Sequence, residues 1–185
     1  MGNGSEQASG DAPLVGEPDG FDRLWTPHRM VYIGGEAKPR GDEAGEDCPF
    51  CRAPLQPDAQ ALIVHRGPRC YVVLNRFPYN PGHVLICTYR HLPDLVAVDA
   101  EERHEMIDLT ARAMEVLRAA KAPHGFNMGM NSGRSAGAGV AGHVHQHVVP
   151  RWEGDANFLP IVARTKAIPE ILADTRAELA SVWEG

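Results

Sequence analysis

The sequence predicts an α+β fold: an antiparallel sheet of about five strands, one long helix after a meander, and a helix near the C-terminal end. Three observations carry this expectation. Three short β-type runs follow one another between Ala61 and Thr88 with turn residues between them; helical periodicity occurs in two places; and strands and helices do not alternate in the βαβ manner of a parallel sheet. With 185 residues, 43% of them hydrophobic, the chain fits one globular domain with trailing segments.

Residues 1–20 are glycines, acidic residues and prolines with scattered apolar ones, too few to offset the entropy of ordering. They read as a flexible acidic tail. Phe21, Leu24, Trp25, Met30, Val31, Tyr32 and Ile33 then supply apolar surface able to dock on a core, and Gly34 to Asp47 returns to loop composition. The β-type runs are Ala61–His65, Cys70–Asn75 and His83–Thr88, divided by Arg66-Gly67-Pro68 and by Phe77-Pro78-Tyr79-Asn80-Pro81-Gly82. Asp99 followed three residues later by Glu102 is a capping-box arrangement, and Met106, Leu109, Ala113, Val116, Leu117 and Ala120 recur at helical spacing, predicting a helix from about Ala100 to Lys121. Gly125 to Asn131 reads as a fourth strand, Ser132 to Gly142 as a glycine-rich loop, and His143 to Val149 as a fifth strand ending at Pro150. Ile168, Ile171, Leu172, Leu179 and Val182 mark the last helix, beginning near Pro169. The expected layout is a tail (1–20) and a single domain (21–185) divided into a docking segment (21–47), a core (48–151) and a C-terminal extension (152–185).

A net charge of −6 gives no basic footprint for duplex nucleic acid. No apolar run approaches the ~20 residues of a membrane span, and no basic region followed by an apolar stretch opens the chain, so a cytoplasmic location is expected and a membrane partner is not. Cys48 and Cys51 form a C-x-x-C pair, while Cys70 and Cys87 stand alone in apolar runs as inert core thiols, a metal or redox pattern of a reducing compartment.

Residues two apart on a strand share a face, so His143, His145 and His147 are expected to project from one side, each about 7 Å from the next. An exposed polar face on an edge strand would account for such a row blandly. A single zinc ion held by all three is a poor alternative, because the row spans about 13 to 14 Å and cannot converge on one ion with bonds of ~2.1 Å.

The order His143-Val-His145-Gln-His147-Val-Val149 resembles the signature of the histidine triad (HIT) family, His-φ-His-φ-His-φ-φ with φ apolar. Upstream, Leu74-Asn75-Arg76-Phe77-Pro78 and Pro81-Gly82-His83-Val84-Leu85 are similar to that family's Asn-x-x-Pro-x-x-Pro-Gly-His-x-Leu segment, so the resemblance covers roughly residues 48–151 and implies a HIT-like sheet. Gln146 departs from a φ position, and Ala138-Gly139 stands where many members carry Gln or Ser/Thr, a side chain that helps hold phosphate or protonate the leaving group.

The resemblance implies a nucleotide substrate, attacked at its α-phosphorus by His145 to form a nucleotidyl-imidazole, with His147 and His83 donating to phosphoryl oxygens. It also implies that Asn75 binds ribose, although turn-forming Asn is the ordinary reading, and that Asn131 contacts the nucleotide. Gly137 and Gly139, with Gly133 and Gly142, would let backbone N–H groups approach phosphate, and Trp152 could stack on a base or pack in a core or interface. Residues His143 to Asn157 look like a bacterial branch that includes actinobacterial diadenosine tetraphosphate phosphorylases. The expected activity is therefore cleavage of a dinucleoside polyphosphate by hydrolysis or phosphorolysis; the alternatives are an adenosine 5'-phosphoramidase and a nucleotide sensor without turnover. Cys48 and Cys51 supply half of a tetrahedral zinc site. The zinc-bearing branches imply His91 and His143 as the other two ligands of a structural zinc, and the family as a whole implies a homodimer.

Overall fold

The computed structural model describes residues 45, 47–155 and 170–184, which fall in one unit of the chain. The 1–20 tail, Trp25 with most of the 21–47 segment, and the expected helix start at Pro169 lie outside the described residues.

Five antiparallel strands form one sheet: β1 (Ile63–Arg66), β2 (Cys70–Leu74), β3 (Val84–Thr88), β4 (Gly125–Gly129) and β5 (His145–Arg151). Their order in space is β1-β2-β3-β5-β4, so the meander holds for the first three, and β5 then inserts between β3 and β4. Two short helices, α1 (Pro49–Arg52) and α2 (Asp58–Ala61), precede the sheet; α3 (Ala100–Lys121) and α4 (Leu172–Glu184) pack against it. The fold is α+β, as expected, and none of its helices is long and apolar enough to cross a membrane, among the described residues.

The α3 boundaries follow from its caps. The Asp99 carboxylate accepts from Glu102 N at 2.9 Å while Glu102 accepts from Asp99 N at 3.2 Å, and the helix closes at Ala122 in the left-handed region just before Pro123. Its apolar stripe, Met106, Leu109, Ala113, Val116 and Leu117, is buried against one face of the sheet, the face of Val72, Ile86 and Val148. The length of α4 lies beside β1: near its start Arg176 Nε donates to Ile63 O at 2.6 Å, and in its last turn Trp183 stacks on His65 with ring centroids 4.7 Å apart. Gly82 is required where it stands: its φ is +75°, and a Cβ there would meet Leu117 Cδ2 at 3.0 Å.

The fifth strand differs from expectation at both ends. It opens at His145, so His143 lies in a bend ahead of it and does not join His145 and His147 in a regular row. The cause is visible in the bonding: the His143 ring reaches Thr88 O and two cysteine sulfurs, which turns the backbone out of strand geometry. At the other end the strand runs through Pro150 to Arg151. The β3 partner ends at Val84, opposite Val148, so at Pro150 no ladder on that side needs an N–H; the Pro150 carbonyl is taken up by Asn80 Nδ2 at 2.8 Å.

Candidate active site and metal centre

Strand alternation separates two environments along β5. Gln146 turns toward α3, where its Nε2 donates to Thr110 Oγ1 at 2.9 Å, and that hydroxyl donates in turn to Met106 O. The polar residue at an apolar signature position is thus buried with its hydrogen bond made. His145 and His147 project from the opposite face, their ring centroids 5.1 Å apart.

The hydrogen bonds of the imidazoles fix which nitrogen carries each proton. Tyr79 N–H donates to His83 Nδ1 at 3.1 Å, and the Asn75 amide lies 3.3 Å from the same atom. His83 must then hold its proton on Nε2, which faces His147 Nδ1 at 3.0 Å. That bond makes His147 Nδ1 an acceptor and leaves a proton on His147 Nε2, a buried atom with no partner among the described residues. His145 follows the opposite rule. Its Nδ1 is 2.8 Å from His143 O, so Nδ1 donates and Nε2 carries the lone pair. The face therefore presents an imidazole lone pair beside an unspent imidazole N–H, which suits attack on a centre bearing anionic oxygens.

Burial keeps these rings neutral. It lowers the pKa of His145, that of His147 to about 4, and that of His83 to about 3, with the repulsion of neighbouring imidazoles adding to the last two. The groups facing the His83–His147 pair are the Tyr79 N–H and phenol ring, the Asn75 amide and the His145 ring. An unfolded imidazole near 6.5 takes up a proton that the folded one refuses, so stability is full above about pH 6.5 and is lost as the pH falls toward 4. At about 1.4 kcal/mol per pK unit, half of the combined shift amounts to about 4 kcal/mol. Urea unfolding near pH 7 and near pH 4 should show this drop, and the double variant His83→Gln, His147→Gln should reduce it, the remainder coming from the buried His143 and His145; an equal drop in both proteins would place its origin elsewhere.

The second cluster lies at the start of β5. Cys48 Sγ is 3.4 Å from His143 Nδ1, Cys51 Sγ is 3.6 Å from the same atom, and Cys51 Sγ is 3.3 Å from His91 Nδ1. All four donor atoms lie within 4.8 Å of one another. A tetrahedral ion with ~2.3 Å bonds to sulfur and ~2.05 Å bonds to nitrogen sets S···N separations of about 3.6 Å, so the donors fit a closed S₂N₂ sphere. His143 Nε2 donates to Thr88 O at 2.8 Å, which frees Nδ1 as a ligand and orients the ring. Burial pushes the Cys48 thiol up to about 11, and a bound cation would reverse that by taking the thiolate.

The remaining candidates are dispersed. Asn75 forms a turn through Oδ1, which accepts from Phe77 N at 2.9 Å, and also contacts His83. Asn131 is half-buried just past β4. The Gly137 N–H is spent on Arg134 O at 2.9 Å, closing a 3₁₀ turn, whereas Gly139 is half-buried beyond that turn. Trp152 follows β5, held through its backbone N–H to Asp155 Oδ2 at 3.2 Å. A hollow of about 210 Å³ on this side is lined by Tyr79, Asn80, Asn127, Val149 and Arg151. Sequence reasoning assigned no part to Tyr79, which stacks on both His83 and His147, nor to Phe50, which packs on His143 and His145. Their one signal was an aromatic side chain inside a motif valued for other residues.

Comparison with known proteins identifies the family and the fold. The HIT domain matches residues 56–154. The chain is 45% identical over 172 residues to the AP-4-A phosphorylase of Mycobacterium tuberculosis, covering 91% of this chain and 88% of that protein. Among solved structures, a Zn-bound histidine triad family protein from Mycobacterium smegmatis aligns with a TM-score of 0.60 at 22% identity, covering 74% of this chain and 93% of that one. A hypothetical histidine triad nucleotide-binding protein from Sulfolobus tokodaii aligns with the same TM-score of 0.60 at 24% identity, covering 74% of this chain and 92% of that one. With the two strand-borne imidazoles, the supporting His83 and the domain match over more than half its length, the chain belongs to the histidine triad family of nucleotide hydrolases and transferases.

Proposed function

We propose that this enzyme cleaves diadenosine tetraphosphate by phosphorolysis through an adenylyl intermediate on His145. The observation that carries the chemistry is the complementary tautomers of His145 and His147: a lone pair on Nε2 of the first, an unpartnered N–H on Nε2 of the second. His145 Nε2 bonds to the α-phosphorus as the bond from that phosphorus to the bridging oxygen breaks, releasing ATP. Inorganic phosphate then attacks the same phosphorus, the P–N bond breaks, and ADP leaves with His145 restored. His147 donates to a non-bridging oxygen in both steps, and His83 holds His147 in the donating tautomer. The choice of phosphate over water as second acceptor is supported by the mycobacterial relative.

Asn75, Asn131, Gly139 and Trp152 are proposed nucleotide contacts. Gly137 belongs with them through its conformation, its N–H being occupied. Zinc is the ion that the two thiolates and two imidazoles suit, and four protein ligands leave no position for water, so its contribution is to hold the segments that bear Cys48, Cys51, His91 and His143. We further propose a cytoplasmic homodimer; β4, at the open edge of the sheet with Met128 exposed, offers a pairing surface.

Product analysis tests the reaction. Diadenosine tetraphosphate with inorganic phosphate should yield ADP and ATP, with little turnover when phosphate is omitted. AMP and ATP in equal amounts, independent of phosphate, would replace phosphorolysis by hydrolysis. No cleavage under either condition would overturn the substrate assignment and direct the assay to adenosine 5'-phosphoramidate.

A further inference from the structure

Phe50 sits between the two cysteines of the metal cluster, in the four-residue helix α1. Its ring centroid is 4.7 Å from that of His145 at an interplanar angle of 43°, and 5.6 Å from that of His143, edge-on at 72°. Its carbonyl accepts from the hydroxyl of the fully buried Tyr71 at 2.7 Å. The backbone at Phe50 is thus tied to β2, and the side chain lies against the nucleophile.

An imidazole on a strand has two side-chain torsions. The Nδ1–H bond to His143 O fixes one point of the His145 ring but does not stop it swinging about that point and carrying Nε2 with it. The Phe50 ring fills the space such a movement would use. The other support, the His143 carbonyl, belongs to a residue whose imidazole is one of the four metal donors. Both supports of His145 therefore hang on one cluster: Phe50 through the flanking Cys48 and Cys51, and the carbonyl through His143.

We propose that Phe50 is a positioning residue which, together with the metal-anchored His143 carbonyl, holds the His145 ring with Nδ1 engaged and Nε2 aimed outward. The inference rests on reading His145 as the nucleophile. It makes the Cys48–Cys51 segment part of the device that sets nucleophile geometry as well as a tie between chain segments. Displacement of a reacting atom by about 1 Å costs on the order of a hundredfold in rate, which sets the size of effect to seek.

The test uses the full chain loaded with zinc, with Phe50→Leu and Phe50→Met as variants, the second keeping an unbranched apolar side chain should the first not fold. Two readouts are required at constant neutral pH: single-turnover formation of labelled AMP adduct alongside nucleotide affinity, and the ring ¹⁵N resonances of His145, His83 and His147. Expected are adduct formation slowed by about a hundredfold, affinity changed by less than about threefold, and a His145 spectrum in which the single Nδ1–H tautomer gives way to averaging. The His83 and His147 signals should stay in place, because their tautomers are set by Tyr79 N–H and not by the metal segment. Removing zinc from the unmutated protein with a chelator should produce the same selective change at His145. Unaltered His145 resonances in the variants or after verified zinc removal would overturn the proposal, as would a loss confined to nucleotide affinity, which would make Phe50 a substrate contact. If the unmutated enzyme forms no adduct at all, the nucleophile assignment fails, while the resonances still decide whether Phe50 orders the ring.

Discussion

Replacing His145 with Asn is expected to lower kcat by about 10⁴- to 10⁶-fold, the largest catalytic effect of any single substitution in this chain, because it removes the atom proposed to form the intermediate. Nucleotide affinity should change little, since the ring is 6% exposed and its Nδ1 serves the backbone. The neighbouring imidazoles set a scale for comparison. Loss of one preorganised donor costs about 10² to 10³ in rate, so His147→Gln should fall well short of the His145 variant. His83 touches the reaction through His147 Nδ1, so the double variant His83→Gln, His147→Gln should be no slower than His147→Gln alone by more than a few-fold. Acid-quench trapping of labelled AMP, with affinity measured separately, separates these terms. A His145→Asn enzyme keeping a hundredth of normal kcat would place the nucleophile elsewhere, and strictly additive His83 and His147 losses would dissolve the relay between them.

Local chemistry made some of this legible in the sequence. The Asp99/Glu102 cap and the stripe from Met106 to Leu117 fix α3 to the residue, because caps and periodicity are short-range signals. The β1 to β3 meander was readable for the same reason, its turns being written in Pro and Gly. The insertion of β5 between β3 and β4 was not, since two antiparallel orders bury the same apolar faces and no turn residue distinguishes them. His143 shows the limit most directly. Alternation alone places it in a row with His145 and His147, yet its ring is drawn to Cys48, 95 residues away, and to Thr88, 55 residues away, so tertiary partners override the period-two pattern. Gln146 read as a departure and proves to be a buried amide paired with Thr110 on α3, a partner that no local window contains. Phe50 was hidden between two more informative cysteines.

Removal of the proposed zinc should lower Tm by about 10 to 20 °C without unfolding the protein near pH 7. The four donors join the Cys48–Cys51 helix, the stretch after β3 and the bend ahead of β5, segments 40 to 95 residues apart in sequence, so an ion there cross-links long loops. In peptides with no other core, such an ion supplies essentially all the folding free energy, about 10 to 16 kcal/mol. This chain has its own core in the sheet and α3. A loss of about 5 kcal/mol is therefore the reasonable share, and at about 2 to 4 °C per kcal/mol for a chain of this size it gives the stated shift. Cys51→Ser should abolish binding of one zinc per chain and reproduce the lower Tm. Cys87→Ala should keep the zinc, because Cys87 is buried in β3 and lies outside the donor cluster, although the cavity it leaves lowers Tm by its own amount. Zinc content and Tm measured together separate the two effects, and a Cys51→Ser protein that still carries one tightly held zinc would show that the ion binds elsewhere.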